Sequence, residues 1–434
     1  MSKSVLVIGS GVIGLASAYY CARRGYAVTV LERNGETHDN CSSGNAGMIV
    51  PSHFVPLAAP GMVALGLKWM WNPESPFYIR PRLDRDLFSW GLKFWRAATP
   101  EHVHRSAPLL RDLSLASRAC FEELAALPDG GFGLVKKGLV MICKTQHALD
   151  EEGRFAERAN QLGVPAQTLD AKELAQLDPN VTMDAAGGVY FPKDCHLIPE
   201  QFLTKLKQHA LNAGVQFEWN TEVSGFVSQG SRLTAVRTRR GDFAANEFVL
   251  AAGAWSQHVG RELGLNLPIQ AGKGYSLTLE KPCQLPQICA IFAEARMAIT
   301  PLAGKLRFGG TMEIAGLNEA INLRRIQGII KNVPKYYPAF SPSDFDGIQP
   351  WCGLRPCSAD GLPYLGRARK WANLIVACGH AMTGLSLGPI TGRLVAEILT
   401  GETPTFDLQM LHPDRYESTF RLVQPVGRPA AFVQ

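Results

Sequence analysis

Paired cysteines and long apolar runs are both scarce in these 434 residues. Ten cysteines occur, yet no two stand in a C-x-x-C arrangement, so the expectation is reduced thiols in a cytoplasmic chain, with no metal. No apolar stretch approaches the roughly 20 residues that a membrane-crossing helix needs. The chain enters its expected first strand within four residues of Met1, so the basic and apolar regions of a signal peptide are not expected. An excess of one charge is lacking too: 44 Lys and Arg against 38 Asp and Glu give a net +6, scattered along the chain. That balance argues against nucleic acid as a partner and suits small anionic substrates or an anionic membrane surface. With 46% hydrophobic residues, a chain of this length exceeds one ordinary core, and two interleaved or consecutive domains are expected.

What is present begins at once. Val5 to Ile8 reads as a buried parallel strand; Gly9, Gly11 and Gly14 form G-x-G-x-x-G; and Val12 to Arg24 carries helical spacing. Gly9 permits the turn, Gly11 lets backbone approach a pyrophosphate, and Gly14 with Ala18 brings the helix against the strands. The helix N-terminus then points free N–H groups at the anion. Tyr26 to Leu31 is a second strand, and Glu32 stands at its end, where a carboxylate can accept hydrogen bonds from an adenosine ribose. The fingerprint calls for an ADP-containing dinucleotide without saying which. Arg33 leaves NADP open, although Glu32 would repel a 2′-phosphate.

The remaining chain alternates helices and strands. Asn34 to Met48 is polar and turn-forming, and its hydroxyls and glycines can serve a phosphate or lie against a planar ring. Residues 51–100 hold four tryptophans, Trp69, Trp71, Trp90 and Trp95, on helices expected at Met62 to Trp71 and Leu83 to Trp95. These helices read either as core or as an interfacial surface with basic Lys68, Arg85 and Lys93 beside the rings. A helix is expected over Ala107 to Leu127, a strand over Gly138 to Cys143 and another over Phe243 to Ala251, the last running into Ala252-Gly253-Ala254-Trp255. Strand-like runs from Leu267 to Phe308 suggest an antiparallel sheet. Trp351 to Gly366 reads as a turn-rich loop. Asn373 to Cys378, the glycine-rich Gly379 to Gly388 and Ile390 to Leu399 then repeat the strand, turn, helix order of the N-terminus.

Together the N-terminal fingerprint, Ser43-Gly44-Asn45-Ala46-Gly47, Ala251-Ala252-Gly253-Ala254-Trp255, Gly353-Leu354-Arg355-Pro356 and Gly379-His380 with Gly384 resemble the FAD-dependent D-amino acid dehydrogenases, within the glycine oxidase and D-amino acid oxidase superfamily. The likeness runs the whole chain in order. It implies an α/β fold: a discontinuous Rossmann-like FAD-binding domain (1–55, 190–265 and 350–434) and an α+β substrate domain on a mainly antiparallel sheet (56–189 and 266–349), with a helical, Trp-rich insertion at 60–100. It also implies non-covalent FAD held by Gly9, Gly11, Val12, Ile13, Gly14, Glu32 and Arg33, by Ser42, Ser43, Asn45, Ala46, Gly47 and Met48, and by Val223, Ala252, Gly253 and Trp255. Gly353, Gly379, His380, Thr383, Gly384 and Leu385 complete that set.

Arg355 matches the family's carboxylate-binding position, and a guanidinium fork suits a carboxylate in bidentate geometry. The implied reaction is oxidative deamination of a D-amino acid. Hydride passes from Cα to flavin N5, the imine hydrolyses to a 2-oxo acid and ammonia, and the electrons go to a quinone or other acceptor. Tyr275 and His53 are candidates for the pocket wall. D-proline or hydroxy-D-proline dehydrogenation, and glycine- or sarcosine-type oxidation by oxygen, stand as alternatives. An NAD(P)-dependent dehydrogenase would leave the glycine-rich turn near Gly379 unexplained, and a flavin monooxygenase usually carries a late Gly-Asp pair, whereas Gly241-Asp242 lies in a hairpin. Two departures stand out: Cys357-Ser358-Ala359-Asp360 replaces the family's Thr-Pro-Asp, and Cys352 lies one residue from where some relatives attach flavin covalently. The resemblance and the Trp-rich segment together favour electron delivery to a membrane quinone, which would bring a cytoplasmic chain to the inner face of the cytoplasmic membrane.

Overall fold

The computed structural model describes residues 3–70, 72 and 74–417. Trp71 and the last part of the expected FAD-binding segment, 418–434, lie outside the described residues.

Val5, Leu6, Val7 and Ile8 are all buried, as a strand covered on both faces requires. They form the middle of a six-stranded sheet in the order Tyr364–Arg367, Leu374–Cys378, Glu247–Leu250, Ser4–Ile8, Ala27–Leu31, Gln216–Glu218. Every neighbouring pair is parallel except the Tyr364–Arg367 edge. Helices Val12–Arg23 and Gly388–Thr400 pack side by side on this sheet. Their close approach depends on glycine: a Cβ on Gly392 would lie 2.4 Å from the Ala16 carbonyl carbon. The two strand-turn-helix units read at opposite ends of the chain are therefore neighbours in space.

The second sheet runs Trp351–Ser358, Ile269–Leu279, Lys305–Ile314, Met297–Leu302, Cys289–Phe292, Leu139–Cys143, Gly187–Phe191, Gln167–Asp170. It is antiparallel except where Cys289–Phe292 meets Leu139–Cys143 and where the short strand Phe77–Ile79 adds to Lys305–Ile314. Helix Leu323–Tyr336 lays Ile326, Ile329, Ile330 and Val333 into the same apolar cluster as Tyr275, Leu277 and Phe308.

Three local expectations need correction. Trp351 to Gly366 is not a loop: Trp351–Ser358 is an eight-residue strand paired along its whole length with Ile269–Leu279, and Tyr364–Arg367 is another strand. Gly353 and Pro356 gave it a turn's composition, but an edge strand tolerates both, and pairing overrides local preference. Phe243 to Ala251 is not one strand, since Gly241–Ala244 closes a hairpin with Arg232–Thr238 and Glu247–Leu250 enters the parallel sheet. The helix expected from Ala107 starts earlier and spans Pro100–Ala125, with Thr99 Oγ1 accepting the His102 N–H as its cap and Pro100 in the first turn.

The Trp-rich segment is divided. Trp90 is buried, donates from Nε1 to the Cys357 carbonyl at 2.9 Å and stacks on Phe94, whereas Phe88 is 76% and Trp95 59% exposed on the same helix, Arg85–Ala97. Among the described residues no helix is long and apolar enough to cross a membrane.

Candidate functional site

The C-terminal ends of the parallel strands open onto one cavity of about 450 Å³ whose wall reaches from Glu32 to Arg355. At its nucleotide end Gly9 has φ +103, and a Cβ there would lie 2.6 Å from the Ala251 carbonyl oxygen. A Cβ on Gly14 would sit 1.9 Å from the Gly9 carbonyl oxygen, so this glycine lets the helix close onto the turn. Gly11, by contrast, faces open space at the cap of helix Val12–Arg23, whose first turn carries no acidic residue. The Val12 N–H donates to Ser42 Oγ at 3.3 Å, and a helix N-terminus with a hydroxyl beside it and an open glycine suits a pyrophosphate.

Glu32 is buried, and its Oε2 accepts from the backbone N–H and hydroxyl of Ser10 at 2.9 and 2.8 Å. Its Oε1 accepts from Asn34 N–H. The carboxylate is thereby fixed in orientation while still lining the cavity, as a ribose acceptor must be. Arg33 lies over the Trp255 ring with its guanidinium carbon 3.7 Å from the centroid. Val223, Ala252 and Gly253 complete that end.

Toward the other end the wall includes Val12, Ile13, Ser42, Asn45, Gly353, His380, Gly384 and Leu385. Burial pushes the His380 imidazole down to about 3, so it is neutral; Nε2 pairs with Thr391 Oγ1 at 3.0 Å and buried Nδ1 has no protein partner. A buried orphan on a cavity wall fits a ligand that completes it. The open Gly11, the fixed Glu32 carboxylate and His380 Nδ1 thus fit the dinucleotide implied by the fingerprint.

The loop Ser43 to Gly47 is held from the antiparallel sheet. Arg307 Nη1 donates to the Asn45 carbonyl at 2.8 Å, its Nη2 reaches Glu200 at 2.7 Å, and Ser276 Oγ donates to the Gly44 carbonyl. Trp351 explains two glycines together: a Cβ on either Gly44 or Gly353 would come within 2.2 Å of its indole ring.

Arg355 is half-buried, and its Nη1 donates to the Thr311 carbonyl at 2.8 Å. Thr311 has φ +69, at a bulge where the register between Ile269–Leu279 and Lys305–Ile314 shifts between Lys273 and Tyr275. Bulges of this kind re-aim groups beside active sites, and here one aims a carbonyl at the guanidinium. The fork fits because residue 274 is glycine: a Cβ there would lie 2.1 Å from Arg355 Nη1. Among the described residues no carboxylate pairs with Arg355, whereas Asp360, of the altered Cys357-Ser358-Ala359-Asp360 segment, is taken by Arg415 through two hydrogen bonds of 2.7 and 2.8 Å.

Several expected residues lie outside the cavity wall. Gly14, Ser43, Ala46, Gly47, Met48, Gly379 and Thr383 stand behind it as turn or packing residues; Gly47 and Gly379 have φ of +76 and +78. Tyr275 is 1% exposed and its hydroxyl donates to Glu313 Oε2 at 2.6 Å, on the side of the sheet covered by helix Leu323–Tyr336. His53 also sits away from the wall, with Nδ1 2.9 Å from Ser52 Oγ, and burial together with Arg296 pushes it down to about 4.

Ser52 in turn donates to Asp194, whose carboxyl burial pushes up to about 7. Between the ordinary carboxylate value and about 7 the folded state keeps a proton that the unfolded chain has lost, so this group makes stability fall as pH rises through that window. Asp194→Asn is expected to flatten the decline in Tm between pH 5 and 8. An unchanged slope would exclude Asp194 as its source.

Ser10, Arg307, Trp351, Gly274 and Thr311 were not read from the sequence. Trp351 stood there only as the start of an expected loop, and the contacts of all five join residues that are distant in sequence.

Comparisons with known proteins agree with this arrangement. The family model of the FAD-dependent oxidoreductases named DAO matches residues 4–398. The chain is 32% identical over 425 residues to a D-amino acid dehydrogenase of Bradyrhizobium diazoefficiens, covering 96% of this chain and 99% of that protein. A D-amino acid dehydrogenase of Paramagnetospirillum magneticum is also 32% identical, over 95% and 99% of the two chains. The fold superposes on glycine oxidase from Geobacillus kaustophilus with a TM-score of 0.77 and 26% identity, covering 95% and 99% of the two chains. With the glycine fingerprint, the fixed Glu32 and the second strand-turn-helix unit at one cavity, the chain belongs to the DAO family of FAD-dependent oxidoreductases.

Proposed function

We propose that this enzyme oxidises a D-amino acid to its imine, which water converts to a 2-oxo acid and ammonia, and that it passes the electrons to a quinone-type acceptor. One observation carries the reading: Arg355, which has no carboxylate partner among the described residues, lines the cavity that also carries the dinucleotide cradle. The segments serving the cofactor are 1–55, 190–265 and 350–434, and those serving the substrate are 56–189 and 266–349, joined by strand Trp351–Ser358, which carries Arg355 into the antiparallel sheet.

Bound FAD supplies the two-electron acceptor for hydride from the substrate carbon. The chain supplies position. Thr311 steadies Nη1, leaving the other fork donors to take the α-carboxylate and fix how the α-carbon faces the wall formed by Gly353, His380 and Gly384. Neutral His380 adds no second cation to compete for that carboxylate. The amine must be uncharged when hydride leaves, and the Arg355 charge favours the neutral amine over the ammonium.

A panel of D- and L-amino acids with a quinone dye, including D-alanine, D-proline and glycine, tests the reading; absence of turnover with every member would end it. Turnover with oxygen as fast as with the dye would instead favour a glycine-type oxidase.

The acceptor side of the proposal rests on the exposed face of helix Arg85–Ala97. Phe88, Leu92 and Trp95 are exposed there and Leu83 just before the helix, with Arg85, Lys93 and Arg96 among them. Apolar side chains interleaved with cations suit an anionic bilayer, so the enzyme is assigned to the inner face of the cytoplasmic membrane. Sedimentation with vesicles of anionic phospholipid should be lost in the double variant Phe88→Ser, Trp95→Ser. Equal sedimentation of variant and parent would remove this surface from the proposal.

A further inference from the structure

One acidic side chain shares the Arg355 end of the cavity. Glu319 belongs to the segment joining strand Lys305–Ile314 to helix Leu323–Tyr336 and lines the cavity with Cys352 and Arg355. It is exposed, and among the described residues its carboxylate accepts no hydrogen bond and forms no ion pair.

Its backbone, however, is held on two sides. Cys352 Sγ donates to the Glu319 carbonyl at 3.0 Å. Lys273 Nζ donates to the next carbonyl, that of Ala320, at 2.7 Å. Lys273 is 2% exposed, and the carboxylate 3.9 Å from its ammonium, that of Glu313, also accepts the Tyr275 hydroxyl. A buried ammonium is costly unless bonded, so it anchors the segment it bonds to. Strand alternation then sets both charges of this cavity end from neighbouring residues: Lys273 fixes the Glu319 segment on one face, and Gly274 admits the Arg355 fork on the other.

We propose that Glu319 selects substrates by the charge at the far end of their side chain. Arg355 is half-buried and Glu319 is exposed, so a substrate whose α-carboxylate lies on Arg355 directs its distal end outward, toward Glu319. Amino acids ending in a cation or a hydrogen-bond donor are favoured, and those ending in a carboxylate are rejected. This inference rests on the reading of Arg355 as the α-carboxylate clamp.

The test is calorimetric binding of pentanoate, 5-aminopentanoate and glutarate to the FAD-loaded enzyme. None has an α-amine, so binding is read without turnover. Relative to pentanoate, 5-aminopentanoate should bind up to about fivefold tighter and glutarate up to about fivefold weaker, the scale of an ion pair to an exposed side chain. Glu319→Gln should bring both ratios toward one, and Glu319→Lys should invert them. Ratios in Glu319→Lys equal to those of the parent enzyme would overturn the assignment. Pentanoate binding that is absent, or unaltered by Arg355→Ala, would show that the clamp itself had failed and would remove the charge selection with it.

Discussion

Arg355→Lys is expected to raise KM for the amino acid substrate by roughly two orders of magnitude, about 3 kcal/mol, in the dye-linked assay. Lysine keeps the charge and loses the planar fork, so one point donor replaces a bidentate contact. It would also lose the steadying bond to the Thr311 carbonyl, which an ammonium on a flexible stem does not reproduce in the same plane. A companion variant separates geometry from charge: Gly274→Ala leaves Arg355 in the chain but places a Cβ 2.1 Å from its Nη1, forcing the guanidinium from its seat. The two variants should show the same KM effect with the flavin spectrum retained. Parent-like KM in both would mean that the carboxylate is held elsewhere.

The second large effect concerns the cofactor. Gly14→Ala puts a methyl group 1.9 Å from the Gly9 carbonyl oxygen, a backbone atom inside a tight turn. Helix and turn must separate, which pulls the helix N-terminus from the anion site and opens the contact with the Gly388–Thr400 helix. Overpacking on this scale costs about 3 kcal/mol, which predicts FAD affinity at least roughly a hundredfold weaker. Flavin absorbance per protein after gel filtration measures the loss. Gly91→Ala provides the contrast: that helical glycine has nothing within 4 Å of its added Cβ, so full flavin content and slightly higher stability are expected. Equal flavin content in the two variants would remove the steric account of Gly14.

These expectations differ in origin. Gly14 was legible as a cofactor residue because strand, glycine turn and helix are consecutive, and a local motif reports local geometry. Arg355 was legible only through resemblance of the Gly353-Leu354-Arg355-Pro356 stretch, and its strand was misread as a loop because Gly and Pro dominate its composition. Tyr275 was named from sequence for the pocket wall, yet which face of a sheet a residue takes depends on register; His53 lies outside the strands, beside Ser52, whose bond to Asp194 spans 142 positions. The bulge between Lys273 and Tyr275 is a property of two strands together.

The amino-acid sequence by itself determined the dinucleotide cradle, the apolar strands and the return of a second strand-turn-helix unit at residues 373–399. Each is written in neighbouring residues whose spacing follows backbone periodicity. Tertiary structure alone decided that the two units pack together, that Arg307 and Ser276 hold the Ser43 to Gly47 loop, and that Gly274 and the Thr311 bulge seat the Arg355 fork. Those arrangements join residues tens to hundreds of positions apart, where no local pattern can encode the partner and only packing and hydrogen-bond pairing select it.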